Sequence, residues 1–149
     1  MNEFTEALLS ESRSASISEE DDFYGKFIGY WDCLWVDSER KVKGEWYFSR
    51  ILKGTAIQDL FILPSREEVL INPQADSEYG TNVRFYNPKT HNWDIFYGVP
   101  GVSFRLEAVK DGNKIVHTEI TKKKQRWVFA EIKDDSFIWE KYNCDDNGA

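Results

Sequence analysis

The chain has 149 residues, 41% of them hydrophobic and 15% aromatic, with a formal net charge of −7 and a pI near 4.9. That length suits one domain with a real core. The apolar content is too rich for a disordered chain, and the acidic balance argues against nucleic acid, which needs a basic face to release counterions.

The amino terminus divides into a weak helical stretch, Glu3 to Glu11, and a Ser/Glu/Asp-rich run, Ser12 to Asp22, whose composition gives little to bury. Residues 1–22 are therefore expected to form a flexible or helical tail, with the folded domain at 23–149. The tail is acidic and lacks an apolar core of about seven residues, so neither a signal nor a transit peptide is expected. No run of about 18 apolar residues occurs, which argues against a membrane-spanning helix. Two cysteines, Cys33 and Cys144, show neither a C-x-x-C pattern nor histidine at ligand spacing, so no metal site is expected. Their positions on the first and last strands would allow a bridge, but the expected location is the cytoplasm, where thiols stay reduced.

Phe23-Tyr24-Gly25-Lys26-Phe27-Ile28-Gly29 places aromatics four apart between glycines, which predicts one helical turn acting as a lid or plug. Strand signals follow over Tyr30 to Asp37, Val42 to Leu52, Thr55 to Leu63, Thr81 to Asn87, Asn92 to Val99, Val102 to Lys110, Lys114 to Thr121, Gln125 to Lys133 and Ser136 to Asn143. Short turns such as Lys53-Gly54, Pro100-Gly101 and Asp111-Gly112-Asn113 separate most of them, so neighbours should pair in sequence order. Lys122-Lys123-Lys124 falls between two strands and reads as a solvated hairpin turn. The longer interval from Pro64 to Gly80 should cover one mouth of the fold.

The expected fold is all-β, an antiparallel up-and-down barrel of about nine or ten strands with a short helical segment at the amino terminus. Closing a meander of this size removes its open edges and leaves room inside for one small ligand.

Gly29-Tyr30-Trp31-Asp32, a G-x-W at the start of the first strand, resembles the lipocalin and wider calycin signature, in which the Trp closes the base of the barrel. Gly44-Glu45-Trp46-Tyr47-Phe48, Ala56-Ile57-Gln58-Asp59, the stretch Glu78 to Pro88, and Trp93 extend the likeness over residue 24 to the end. Together they resemble a bacterial lipocalin-like family, a domain of unknown function. The resemblance implies a ligand-binding barrel, and a further strand after the ninth. Here Asp145-Asp146-Asn147-Gly148-Ala149 is a turn signal with nothing behind it. An incomplete ring would leave an edge open to a second copy of the chain, so a homodimer is one expectation.

Period-two alternation sets Asn82, Arg84 and Tyr86 on one face of their strand, and Ser103, Arg105 and Glu107 on one face of another. Arg84 and Arg105 would form a cationic spot for a ligand carboxylate, with Glu107 or Glu45 as supporting partners. The competing arrangement is cross-strand salt bridges on the outer wall. In Gln58-Asp59 one residue must face inward, where Arg84 or Tyr86 could partner it. Trp31, Trp46, Trp93, Trp127 and Trp139 are candidates for core first and for cavity wall second. His117, sharing a face with Glu119, is the one candidate general base. The expected function is a cytoplasmic binding protein for a small, partly apolar ligand, anionic if the arginines converge, with no cofactor and no nucleic-acid or membrane partner. The alternatives are an enzyme acting on a hydrophobic acid through Tyr86, Glu107 and Arg84, and a protein-interaction module.

Overall fold

The structure is a computed structural model that describes residues 2–73, 78–122 and 125–144. Its order is α1 (Glu3–Leu8), β1 (Leu9–Ser10), a 3-10 turn (Gly25–Phe27), β2 (Gly29–Val36), β3 (Lys41–Ile51), β4 (Ala56–Leu63), α2 (Arg66–Ile71), β5 (Glu78–Asn87), β6 (Asn92–Val99), β7 (Val102–Asp111), β8 (Lys114–Glu119), β9 (Gln125–Ala130) and β10 (Ile138–Asn143). Strands β2 to β10 are the nine runs expected from the alternation and turn chemistry. Each pairs antiparallel with its successor in one curled sheet, and β1 adds a short pair at the end of β3. The all-β, barrel-like class is thus the fold of this chain. No helix of the described residues is long and apolar enough to cross a membrane.

A meander with an odd number of strands ends with its last strand running the same way as its first. Here β2 leaves the Phe48 level and reaches the Lys41 level, while β10 leaves the Ala130 level and reaches the Gln125 level. Closing the ring would therefore need a parallel ladder between them, in a sheet otherwise antiparallel throughout. Among the described residues no such ladder forms. Side chains bridge the seam instead, with Trp35 against Trp139 at 5.4 Å and Trp31 against Phe137 at 4.9 Å between ring centroids. Cys33 and Cys144 are free thiols.

The aromatic turn before β2 is a plug. Tyr24 and Phe27 are fully buried, and Phe27 packs against Phe48, Phe129 and Phe137 at 4.7–5.7 Å. Trp31 donates its indole N–H to the Phe27 carbonyl at 2.8 Å, fixing the plug to the first strand. The acidic run ahead of it, which composition alone would leave loosely held, is anchored at several points. Ile17 is buried in the core, Asp22 takes a two-pronged ion pair from Arg50 at 2.8 and 3.1 Å, and the Asp21 carbonyl accepts the Trp93 indole N–H at 2.8 Å. Gly54, at φ +79°, permits this approach, since a Cβ there would lie 2.1 Å from the Ser12 carbonyl oxygen.

The interval after Pro64 holds a helix that alternation did not reveal. Ser65-Arg66-Glu67-Glu68 spells a capping box, and the Ser65 hydroxyl accepts the Glu68 N–H at 3.1 Å. Lys123, Lys124 and the terminal run Asp145 to Ala149 lie outside the described residues.

If Phe27 is core rather than lid, Phe27→Ala should lower the unfolding free energy by ~3–5 kcal/mol, read from the urea midpoint. A loss under ~1 kcal/mol, ordinary for surface positions, would return the turn to the surface.

Candidate functional site

The interior is solid at one end and hollow at the other, and most strands cross the boundary between the two. Ile57 on β4, Trp93 and Ile95 on β6, Leu106 and Ala108 on β7 and Phe129 on β9 are buried around the plug. Two residues further along the same inward faces lie Phe61 past Asp59, Tyr97 past Ile95, Phe104 past Leu106 and Trp127 past Phe129. These line a cavity of about 990 Å³, at the upper end of the size range of small-molecule pockets. Trp46 and Trp31 add further aromatic wall. Gly80 makes room for the Phe61 ring, because a Cβ there would meet it at 2.2 Å, and Phe61 stacks on Tyr97 with an interplanar angle of 5°. Every residue of β2 from Trp31 to Val36 borders the cavity, as do Ile138, Trp139 and Lys141 of β10. The β2–β10 seam therefore forms one side of the cavity.

At the boundary sits a buried ion pair. Asp59 and Arg84 side chains are 0% and 1% exposed, and Arg84 Nη1 donates to Asp59 Oδ2 at 2.6 Å. Asn82 completes the carboxylate's shell through its backbone N–H at 2.8 Å and its side-chain amide at 3.1 Å. The guanidinium carbon lies 4.7 Å from the Tyr24 ring centroid and 5.3 Å from that of Phe48, so its flat faces meet π systems rather than water. Three buried polar atoms around this floor have no protein partner: Arg84 Nε, Asn82 Oδ1 and Trp46 Nε1. All three residues border the cavity. Burying such atoms without a partner is costly, and native interiors rarely do it.

Behind the floor, His117 is sealed in the core. Its Nδ1 lies 3.1 Å from the Trp127 carbonyl, which can only accept, so Nδ1 carries the proton. Nε2 then accepts from the Tyr24 hydroxyl at 2.7 Å. Burial first, and then the Arg84 charge, push the histidine down to about 3. The same burial raises the Tyr24 phenol well above its ordinary value. His117 is thus a neutral structural link between plug and sheet. Glu119 does not orient it and instead accepts from Gln125 at 3.3 Å.

The residues singled out from the sequence separate into three places. Trp31, Trp46, Arg84 and Trp127 border the cavity. Glu45 touches its edge but commits its carboxylate to the Arg66 backbone and guanidinium at 2.8 Å and to the Tyr47 hydroxyl at 2.7 Å, holding α2 over β3. Arg66 chiefly drives the Glu45 carboxyl down to about 2. Tyr86, Trp93 and His117 serve the plug end, with Tyr86 donating to Asp21 Oδ2 at 2.6 Å.

Arg105 and Glu107 point outward, Arg105 lying over Phe96 at 5.1 Å, because Phe104, Leu106 and Ala108 take the inward face of β7. The expected pairing of Arg84 with Arg105 therefore does not occur, and the trio Tyr86, Glu107 and Arg84 is not assembled. Gln58 also faces away, bonding Thr81 at 3.0 Å, and Asp59 takes the inward place. Both faces of that strand carry apolar residues, so a period of two could not choose between them. Phe61, Tyr97 and Phe104 are cavity residues that the sequence did not single out for function, whereas alternation already sets Asn82 on the polar face of Arg84 and Tyr86.

Comparisons with protein-family models, with curated proteins and with solved structures found no match to this chain.

Two outcomes follow from the pair and the histidine. Arg84→Met should cost ~3–5 kcal/mol in stability, because it strands the Asp59 carboxylate in the interior. A near-neutral change in the denaturation midpoint would mean that water reaches Asp59. His117 has a folded pKa below its unfolded value of 6.5, so its contribution is full above that pH and declines as the pH falls toward 3. The slope is at most ~1.4 kcal/mol per pH unit. Urea midpoints of His117→Gln should fall less steeply than those of the parent between about pH 6 and pH 4, and parallel curves would contradict the assignment.

Proposed function

We propose that this chain binds a small, partly apolar molecule inside the barrel, with the aromatic side chains supplying contact area and the Arg84–Asn82 floor supplying orientation. The observation that carries this reading is the aromatic-walled cavity of about 990 Å³, lined by Trp31, Trp46, Phe61, Tyr97, Phe104 and Trp127 with Asn82 and Arg84 among its polar residues. A cavity of that kind, apolar with a few convergent polar groups, is what small-molecule sites share. The lipocalin-like entrance at Gly29-Tyr30-Trp31 supports the same use of the fold. Free thiols at Cys33 and Cys144 are compatible with a reducing compartment such as the cytoplasm.

The geometry moves the proposal away from an anionic ligand. Arg105 lies outside, and the charge of Arg84 is already matched by Asp59. Asp32, Asp37, Glu78 and Asp135 border the cavity with Lys141 as the counterweight, which makes the opening acidic.

Native mass spectrometry of protein purified from its own host should show a bound small molecule, released on unfolding. A bare mass together with an unchanged melting temperature across a panel of lipids, flavonoids and neutral aromatics would overturn the binding reading.

A further inference from the structure

We infer that the seam between β2 and β10 takes up one extended segment of a partner polypeptide as a tenth strand of the ring, antiparallel to both edges. The segment carries large apolar and basic side chains on its outer face and small ones on its inner face.

The first ground is the width of the seam. Strands that share a ladder lie about 4.8 Å apart, with opposed Cα atoms at about 4.5–5.5 Å. The Cα atoms of β2 and β10 are more than 8 Å apart at nearly every level, and among the described residues no ladder joins them. Trp35 and Trp139 nevertheless meet across the seam at 5.4 Å between ring centroids. The gap thus exceeds one strand spacing and stays within the reach of two indole side chains. One inserted strand needs two spacings, about 9.6 Å.

Direction is the second ground. β2 and β10 run the same way, so a segment antiparallel to one is antiparallel to the other. It can bond both edges in the geometry of every other ladder in the sheet.

The third ground is that the edge of β2 is left open for pairing. Natural edges are blunted by proline, lysine, bulges or short length. β2 has eight residues, neither proline nor lysine, and a register with β3 free of bulges. Its outer face carries Tyr30, Leu34 and Val36, each half exposed or more, and β10 offers Ile138 and Tyr142, each nearly half exposed. On the inner face Trp31, Trp35 and Trp139 are only half-buried. Trp93 and Ile95 of β6, a strand paired on both sides, are fully buried.

The same surroundings set the chemistry of the occupant. Asp32 and Glu140 alternate with the apolar residues of those two outer faces, Asp37 and Asp135 stand at the two ends of the seam, and the chain carries a net charge of −7. Lysine or arginine on the outer face of the segment complements them. Beneath the seam Trp31 already meets Phe137 and Trp35 meets Trp139, which leaves room on the inner face for small side chains. A second copy of this chain would bring edge strands fixed in its own sheet, and a slot one strand wide does not admit them. An extended peptide adds itself to a sheet edge through its backbone and is selected by alternate side chains.

The probe is the acetylated, amidated peptide Val-Ser-Lys-Ala-Ile-Ser-Lys-Ala-Val, titrated into the full chain at neutral pH by calorimetry and followed by amide hydrogen exchange. Binding should slow exchange in both β2 and β10. N-methylation of its isoleucine and both lysines, which removes the donors along one edge, should weaken it by about tenfold or more. Glutamate in place of both lysines should weaken it by about tenfold, as should Leu34→Lys, an exposed position whose change leaves the melting temperature of the chain unaltered. No binding at millimolar peptide, protection of one edge alone, or an unaltered affinity after N-methylation would overturn the inserted strand. Equal affinity for the glutamate peptide would overturn the basic class, and an unaltered affinity in Leu34→Lys would overturn the location. A dimer of the chain alone in sedimentation, with β2 and β10 protected in it, would make the occupant a second copy and overturn the partner segment.

Discussion

The Arg84–Asp59 ion pair is the constraint around which the interior is arranged. A charge taken out of water must be matched and its remaining hydrogen-bonding capacity filled. Arg84 Nη1 and the Asn82 amide do this for Asp59, and the rings of Tyr24 and Phe48 cover the guanidinium. The plug therefore has to seat against the pair, which fixes where the solid half of the barrel stops. On the other side Arg84 and Asn82 border the cavity. One interaction thus defines both the end of the core and the floor of the site.

The plug is held in turn by the segment before it. Asp21 and Asp22 tie the amino-terminal run to Tyr86, Trp93 and Arg50, far apart in sequence and adjacent on the barrel's closed end. Tyr24 passes that anchorage inward through its hydrogen bond to His117. Acidic residues that look like a solvated tail are the fastening of the core, and a histidine that looks like a general base is its last link.

Strand number shapes the opening of the site. Nine strands in strict sequence leave β2 and β10 running in the same direction, and the sheet meets itself through aromatic side chains rather than a backbone ladder. Side-chain contact closes the closed end, where Phe137 fills the space between Phe27 and Trp31. Toward the other end, β2 and β10 border the cavity directly.

By itself the sequence determined the nine strands, their order and the plug, because those depend on local chemistry: β-branched and aromatic runs, Gly- and Asp-bearing turns, and aromatics spaced by one helical turn. It also determined that Asn82 and Arg84 share a face, since alternation is a property of the strand alone. Which face turns inward was decided only by tertiary packing. Ala56, Gln58 and Leu60 against Ile57, Asp59 and Phe61 is an even contest until Arg84 arrives from the next strand to pair with Asp59. Arg105 goes outward for the corresponding reason, displaced by Phe104 and Leu106, which have the aromatic interior to fill. The hollow half is likewise a tertiary result, because a cavity is the volume that side chains from eight strands fail to fill together, and no single stretch of sequence carries that sum.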